Sequence, residues 1–142
     1  MLKYVMNFVT LLALLLAAAC ASQPNEISVN LGQKFNLAIG RSASISEEGL
    51  KIQFTEVISD SRCPRGALCV WEGEVSCLVE ITYLESLHRK VLTQPGLTEG
   101  PYRSDFEEYE ITFEVQPYPE LGKQIKSEDY QLELAIRKKP AK

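Results

Sequence analysis

The chain has 142 residues, 45% hydrophobic and 24% charged, the make-up of one ordinary globular domain and not of a disordered or collagen-like chain. Its formal charge of −4, from 15 Lys and Arg against 19 Asp and Glu, lacks the basic excess of a nucleic-acid binder. One histidine, His88, is too few for multi-histidine metal sites and leaves little to activate a serine or cysteine nucleophile.

Residues 1–19 hold one charge, Lys3, and an apolar run from Phe8 to Ala19 broken by Thr10. That run falls short of the ~20 residues of a stable membrane-spanning helix. A charged start, an apolar stretch and small residues at its end describe a secretory signal peptide. The segment Leu16-Ala17-Ala18-Ala19-Cys20 resembles the cleavage site of bacterial lipoproteins, whose cysteine is lipidated and becomes the first mature residue. Ala17 departs from the leucine usual in that signal. The resemblance implies an anchor of acyl chains, palmitate among them, on Cys20. Ala21 is not the aspartate of inner-membrane retention, which implies the outer membrane, facing the periplasm or the surface. The alternative is an ordinary signal cut nearby, with Cys20 an incidental thiol. Removing residues 1–19 takes Lys3 away and leaves 123 residues of net charge −5, enough for one self-sufficient core. The expected organisation is a signal peptide (1–19), the lipidated cysteine and a tether (20–26), a folded domain (27–137) and a basic tail (138–142) read as a solvated end. Six extended residues reach only ~20 Å, so the body should sit close to the membrane.

Alternation of apolar and polar residues then marks strand after strand. Ile27, Val29 and Leu31 alternate first, and Phe35, Leu37 and Ile39 follow the Gly32 turn. Leu50, Ile52 and Phe54 come next, then Val75, Cys77, Val79, Ile81 and Tyr83. Tyr109, Ile111, Phe113 and Val115 precede a last set of Tyr130, Leu132, Leu134 and Ile136. Arg89–Thr93 is a weaker strand, because both of its phases are partly apolar. Six to seven short strands without crossover helices predict an all-β fold: a small antiparallel β-sandwich, Ig-like, with a small β-barrel as the alternative. Gln94–Phe106 and Gln116–Asp129 read as long connections.

The most distinctive stretch runs from Asp60 to Glu74. Cys63 and Cys69 flank a turn favoured by Pro64 and Gly66, and export provides an oxidising compartment, so a Cys63–Cys69 disulfide is predicted. Closing so short a loop stabilises by about 2.4 kcal/mol in the chain-entropy model. The spacing is not the Cys-x-x-Cys of a redox pair and lacks the paired ligands of a zinc site. Cys77 shares the phase of Val75 and Val79, so a free core thiol is expected, with pairing to Cys63 or Cys69 the alternative. Trp71 is expected to pack over the bridge and close one end of the sandwich; exposed, it would be a binding hot spot. Arg62 and Arg65, beside Asp60, Glu72 and Glu74, read as a charged surface serving solubility or recognition.

The run Asp-Ser-Arg-Cys-Pro-x-Gly-x-x-Cys-Val-Trp-x-Gly resembles a motif of uncharacterised exported bacterial β proteins, many of them lipoproteins. The same family often carries a Pro-Tyr-Pro loop and a final strand opened by tyrosine. They stand here as Pro117-Tyr118-Pro119 and Asp129-Tyr130-Gln131-Leu132. The resemblance covers roughly residues 30–137 and implies a small β-sandwich. It brings no activity and no catalytic residue. Cys77 stands where an aliphatic residue is usual.

The remaining candidates read as surface. Asp105, Glu107, Glu108, Glu110 and Glu114 form a solvated acidic face, with neither EF-hand spacing nor a pair singled out for glycosidase chemistry. His88 falls in a polar turn over 84–90 and is expected at the surface. Tyr118 is held by two stiffening prolines and is expected to dock on the sandwich, with recognition as the alternative. The expected function is a membrane-tethered, non-catalytic binding or structural module of the cell envelope. It needs no cofactor and no metal, meets an envelope protein or glycan, and binds no nucleic acid. The candidate recognition residues are Arg62, Arg65, Trp71 and Tyr118. The alternatives are a protease-inhibitor-like sandwich, although the Asn-Pro-Thr-Thr-Gly loop of chagasin-like inhibitors is absent, and an enzyme of unrecognised type.

Overall fold

The computed structural model describes residues 25–97 and 100–141; the signal segment and Cys20 lie outside them. The described residues form nine strands. They are β1 (Glu26–Ser28), β2 (Lys34–Ala38), β3 (Ser42–Ile45), β4 (Leu50–Asp60), β5 (Glu74–Tyr83), β6 (Ser86–Pro95), β7 (Tyr102–Phe106), β8 (Tyr109–Gln116) and β9 (Gln131–Lys138). Two sheets pack face to face, with orders β1-β3-β4-β5-β6 and β2-β9-β8-β7. Every neighbouring pair is antiparallel except β1 beside β3. The fold is an all-β sandwich, and no closed barrel forms.

The alternation read in the sequence is the packing of the core. Val75, Cys77, Val79 and Ile81 on β5 are completely buried, while Ser76, Leu78, Glu80 and Thr82 face outward. From the other sheet, Tyr109, Ile111, Phe113 and Val115 on β8 and Leu132, Leu134 and Ile136 on β9 meet them. Cys77 is a free thiol buried in this core, and burial pushes its pKa up to about 12.

Four expectations need correction. There are nine strands, not six or seven, because β3 carries weak alternation and β7 is short and follows a segment of Gly and Pro. The Gln94–Phe106 connection contracts accordingly, since β6 runs to Pro95 and β7 starts at Tyr102. At the first strand Val29 alone of its set is buried; Ile27 and Leu31 are exposed, because β1 is a three-residue edge. His88 lies in β6 opposite Ile81, half-buried, with its ring edge-on to Phe106 at 5.2 Å. The turn expected there is only Leu84–Glu85, both at positive φ, the backbone of a type I′ hairpin.

β6 is the longest outer strand, with ten residues and one unpaired side. Its inward phase runs His88, Lys90, Leu92 and Gln94, opposite Ile81, Val79, Cys77 and Val75. A lysine thus sits mid-edge among core-facing positions.

The sandwich has two dissimilar ends. One carries the tight turns at Ser46–Glu48, 84–85 and 107–108. At the other, called here the loop pole, β4, β6 and β8 end and β5 and β9 begin. It bears the two long connections, 61–73 and 117–130.

Candidate functional site at the loop pole

Three hydrogen bonds hold the neck of the 61–73 loop. Ser61 N–H donates to the Glu74 carbonyl at 2.8 Å, and Cys63 N–H to the Glu72 carbonyl at 2.8 Å. Gly96 N–H donates to the Gly73 carbonyl at 2.8 Å. So close an approach leaves no room for a side chain at Gly73. It has φ +68°, and a Cβ there would lie 1.8 Å from the Ser61 carbonyl oxygen. Beyond the neck, Pro64 to Ala67 make a four-residue turn closed by Ala67 N–H to the Pro64 carbonyl at 3.0 Å. Its third residue, Gly66, has φ +88°, as a type II turn requires. The Cys63–Cys69 disulfide closes the loop.

Arg62 was expected on a charged surface. The structure buries it, with 3% of its area exposed. Its guanidinium grips Asp60 with two prongs, Nε to Oδ1 at 2.9 Å and Nη2 to Oδ2 at 2.6 Å. Nη1 donates to the Val115 carbonyl at 2.9 Å, and Nη2 also donates to the Pro117 carbonyl at 3.0 Å. The topology explains why a charge is useful there. β7 begins opposite Phe113, so the next outward-facing groups of β8 have no strand beside them. Gln94 and Arg62 replace that strand. Gln94 Oε1 accepts the Val115 N–H at 2.7 Å, and Arg62 takes the two carbonyls. Gln94 comes from β6 of the facing sheet and Arg62 from the loop that leaves β4 of that sheet, so they stitch the sandwich together at this end.

Asp60 completes the arrangement by accepting from Tyr130 Oη at 3.0 Å. Burial works to raise the Asp60 pKa, but the hydrogen bonds and charge of Arg62, helped by Tyr130, hold it below the ordinary carboxylate value. Burial, with the Asp60 charge behind it, pushes the Tyr130 phenol up to about 12. At neutral pH Asp60 is thus a carboxylate and Tyr130 a neutral phenol, and Asp60 accepts four hydrogen bonds in all, three from Arg62 and one from Tyr130. A cleft of about 290 Å³ lies over these groups, lined also by Pro64, Pro119 and Lys123. The groups at its base, Asp60, Arg62 and Tyr130, are spent on one another.

Tyr118 lies between the two connections. Its hydroxyl donates to the Cys63 carbonyl at 3.0 Å and accepts from Leu97 N–H at 3.1 Å. Its ring carries the guanidinium of Arg62 at 5.1 Å and that of Arg65 at 5.0 Å, both cation–π distances. The backbone of Arg65 pairs with the same segment, N–H to the Pro119 carbonyl at 2.9 Å, and its carbonyl accepts from Leu121 N–H at 3.0 Å. Arg65 itself is exposed.

Trp71 was expected to close the sandwich. It does not: 76% of its area is exposed, and Leu68 and Val70 beside it stand fully in solvent. These are the three most exposed large apolar side chains among the described residues, and Leu97 and Leu121 add two more at the same pole. The disulfide, Gly66 and Gly73 dictate a path whose tip projects away from the core. Sequence reasoning set Asp60 on the charged surface and Tyr130 in the apolar phase of the last strand, and did not single out Gln94; all three position the site.

The acidic set is dispersed. Glu110 pairs with Arg103, Asp105 with Lys139, and Glu108 accepts from Tyr83 Oη at 2.6 Å. No cluster of three or more metal-ligating side chains occurs among the described residues. Comparison with known protein families, with curated proteins and with solved structures finds no match for the chain.

Proposed function

We propose that this protein is a lipid-anchored module of a bacterial envelope, non-catalytic, whose contact surface is the loop pole. One observation carries the reading. The ion pair of the distinctive motif, Asp60 and Arg62, is consumed internally, whereas Leu68, Val70 and Trp71 on the same loop are presented to the outside. A monomer gains nothing in stability from three apolar side chains in water, and exposed apolar clusters mark surfaces that are covered in use. The loop is pinned by a disulfide and by Tyr118, so little ordering is lost when it is covered. The signal-like residues 1–19 and Cys20 supply the anchor in this reading.

Two measurements test it. Replacing Cys20 by Ala should abolish labelling of the protein by radioactive palmitate in cells; labelling that persists refutes the anchor. A photo-crosslinking amino acid at position 70 should capture neighbours in cells where the same probe at position 85, at the opposite end, does not. Equal capture from both positions refutes the loop pole as the contact surface. A protease-inhibitor reading draws on the same disulfide-closed loop, and a panel of envelope and host proteases tests it.

A further inference from the structure

We infer that the surface covering the loop pole is the membrane itself: Leu68, Val70 and Trp71 dip into the headgroup region beside the lipid-bearing cysteine. The inference rests on the anchored reading above and adds the orientation of the body.

The direction in which the chain enters the fold carries it. β1 pairs in parallel with β3, in the register Glu26 with Ser42 and Ser28 with Ser44. Ser44 lies opposite Lys51, near the start of β4 at the tight-turn end. β1 therefore runs away from the loop pole, and the residues before it lie on the loop-pole side. Asn25 shares a cleft with Gln131, the first residue of β9, and Tyr130 next to it touches Asp60 at the pole. Cys20 is five residues from Asn25, a span of at most ~17 Å. Acyl chains on Cys20 would thus hold this end of the sandwich against the bilayer.

The chemistry of that end suits the position. Its most exposed apolar side chains are Leu68, Val70 and Trp71, followed by Leu97 and Leu121. Tryptophan favours the membrane interface, where an amphipathic ring has both apolar and polar neighbours. Arg65, held on the Tyr118 ring, is exposed beside the tip, where anionic headgroups attract a cation. Exposed glutamates stand at both ends, Glu72, Glu74 and Glu120 at the loop pole and Glu47, Glu85 and Glu107 on the opposite turns, so the apolar tip and the chain entry, not net charge, carry the orientation. A lipid chain and an apolar loop acting together give two signals, which hold a protein at a membrane better than one.

Trp71 is the one tryptophan of the sequence, so its fluorescence reports the loop alone. The full-length protein is expressed in a bacterium, extracted in detergent and reconstituted into phosphatidylethanolamine–phosphatidylglycerol vesicles, with and without acyl chains brominated near the glycerol. Intact mass shows whether the purified chain carries acyl groups; an unacylated chain overturns the anchored reading and the inference with it. For an acylated chain we expect brominated lipid to quench Trp71, and aqueous iodide to lose access to it on reconstitution. The double variant L68S/V70S should weaken the bromine quenching while the acyl mass and the circular dichroism spectrum stay unchanged. An acylated, vesicle-bound protein whose Trp71 stays open to iodide and indifferent to bromine leaves the anchor standing and overturns the inference. So does loss of iodide access without bromine quenching, which would mean that a protein surface covers the loop.

Discussion

Replacing Arg62 by Ala is the sharpest probe of how the loop pole is held. The substitution removes four side-chain hydrogen bonds: two to Asp60, one to the Val115 carbonyl and one to the Pro117 carbonyl. It leaves Asp60, with a tenth of its side chain exposed, without its counter-ion, and leaves a buried β8 carbonyl with no donor. Breaking a buried ion pair from one side costs about 3–5 kcal/mol, a large share of the ~5–15 kcal/mol that holds a domain folded. For a domain of this size that corresponds to a fall in melting temperature of roughly 10–20 °C. Arg62→Lys should recover only part, because an ammonium is a point charge and cannot serve both carboxylate oxygens and both carbonyls together. The double variant Asp60→Leu, Arg62→Met should lose less than Arg62→Ala alone, since no unpaired charge then remains in the interior. Urea unfolding followed by far-ultraviolet circular dichroism measures all three. A loss below about 1 kcal/mol for Arg62→Ala would refute the reasoning, because that is the scale of a surface pair. A double variant worse than the single one would refute the account of Asp60.

The other expectations concern neighbouring groups. Native Cys77 should resist iodoacetamide at pH 8 and react once urea unfolds the chain, because burial raises its pKa to about 12; rapid alkylation of the folded protein would contradict this. Tyr130 has a folded pKa raised from about 10 to about 12, so its neutral form contributes stability that is complete below pH 10 and lost as pH rises towards 12. Tyr130→Phe should flatten that alkaline fall in the urea midpoint, and an unchanged slope would refute the assignment. Gly73→Ala forces a Cβ against the Ser61 carbonyl at positive φ and should cost at least about 2 kcal/mol in urea unfolding, with Gly122→Ala, where space is open, costing less. Trp71→Ala should lower the unfolding free energy by less than about 0.5 kcal/mol, as expected for a side chain that is three-quarters exposed; a larger loss would return Trp71 to the structural role expected from sequence.

The strands legible in the sequence are those with one wet and one dry face. β5 and β8 alternate without exception in their apolar phase, and β9 does so as far as Ile136, so their core residues stand out. β3 did not, because Ser42 and Ala43 are both buried and neither is large enough to mark a phase. β7 does alternate, through Tyr102, Ser104 and Phe106, but it is short and follows a segment of Gly and Pro that reads as loop. β6 blurred for another reason: as an outer strand it leaves Leu87 and Val91 in water, so both phases carry apolar residues. The disulfide was legible because its partners are local. Arg62 was not, because the groups that bury it arrive from 53 and 55 residues further along the chain. A short-range reading sees an arginine among acids and places it outside. The exposure of Trp71 was hidden likewise, since the glycine geometry that turns the tip outward exists only once the neck has closed.

Lys90 bears on whether the free side of β6 can accept another strand. A second copy adding itself to the free side of β6 would extend the five-stranded sheet, and with it the core, over a lysine that faces inward from mid-strand. Covering that ammonium on its remaining open side would strip it of water with no carboxylate supplied by the same strand of the copy, whose own neighbours at this point are Arg89 and Val91. One charge on the inward phase thus disfavours pairing of this ten-residue edge with a second copy.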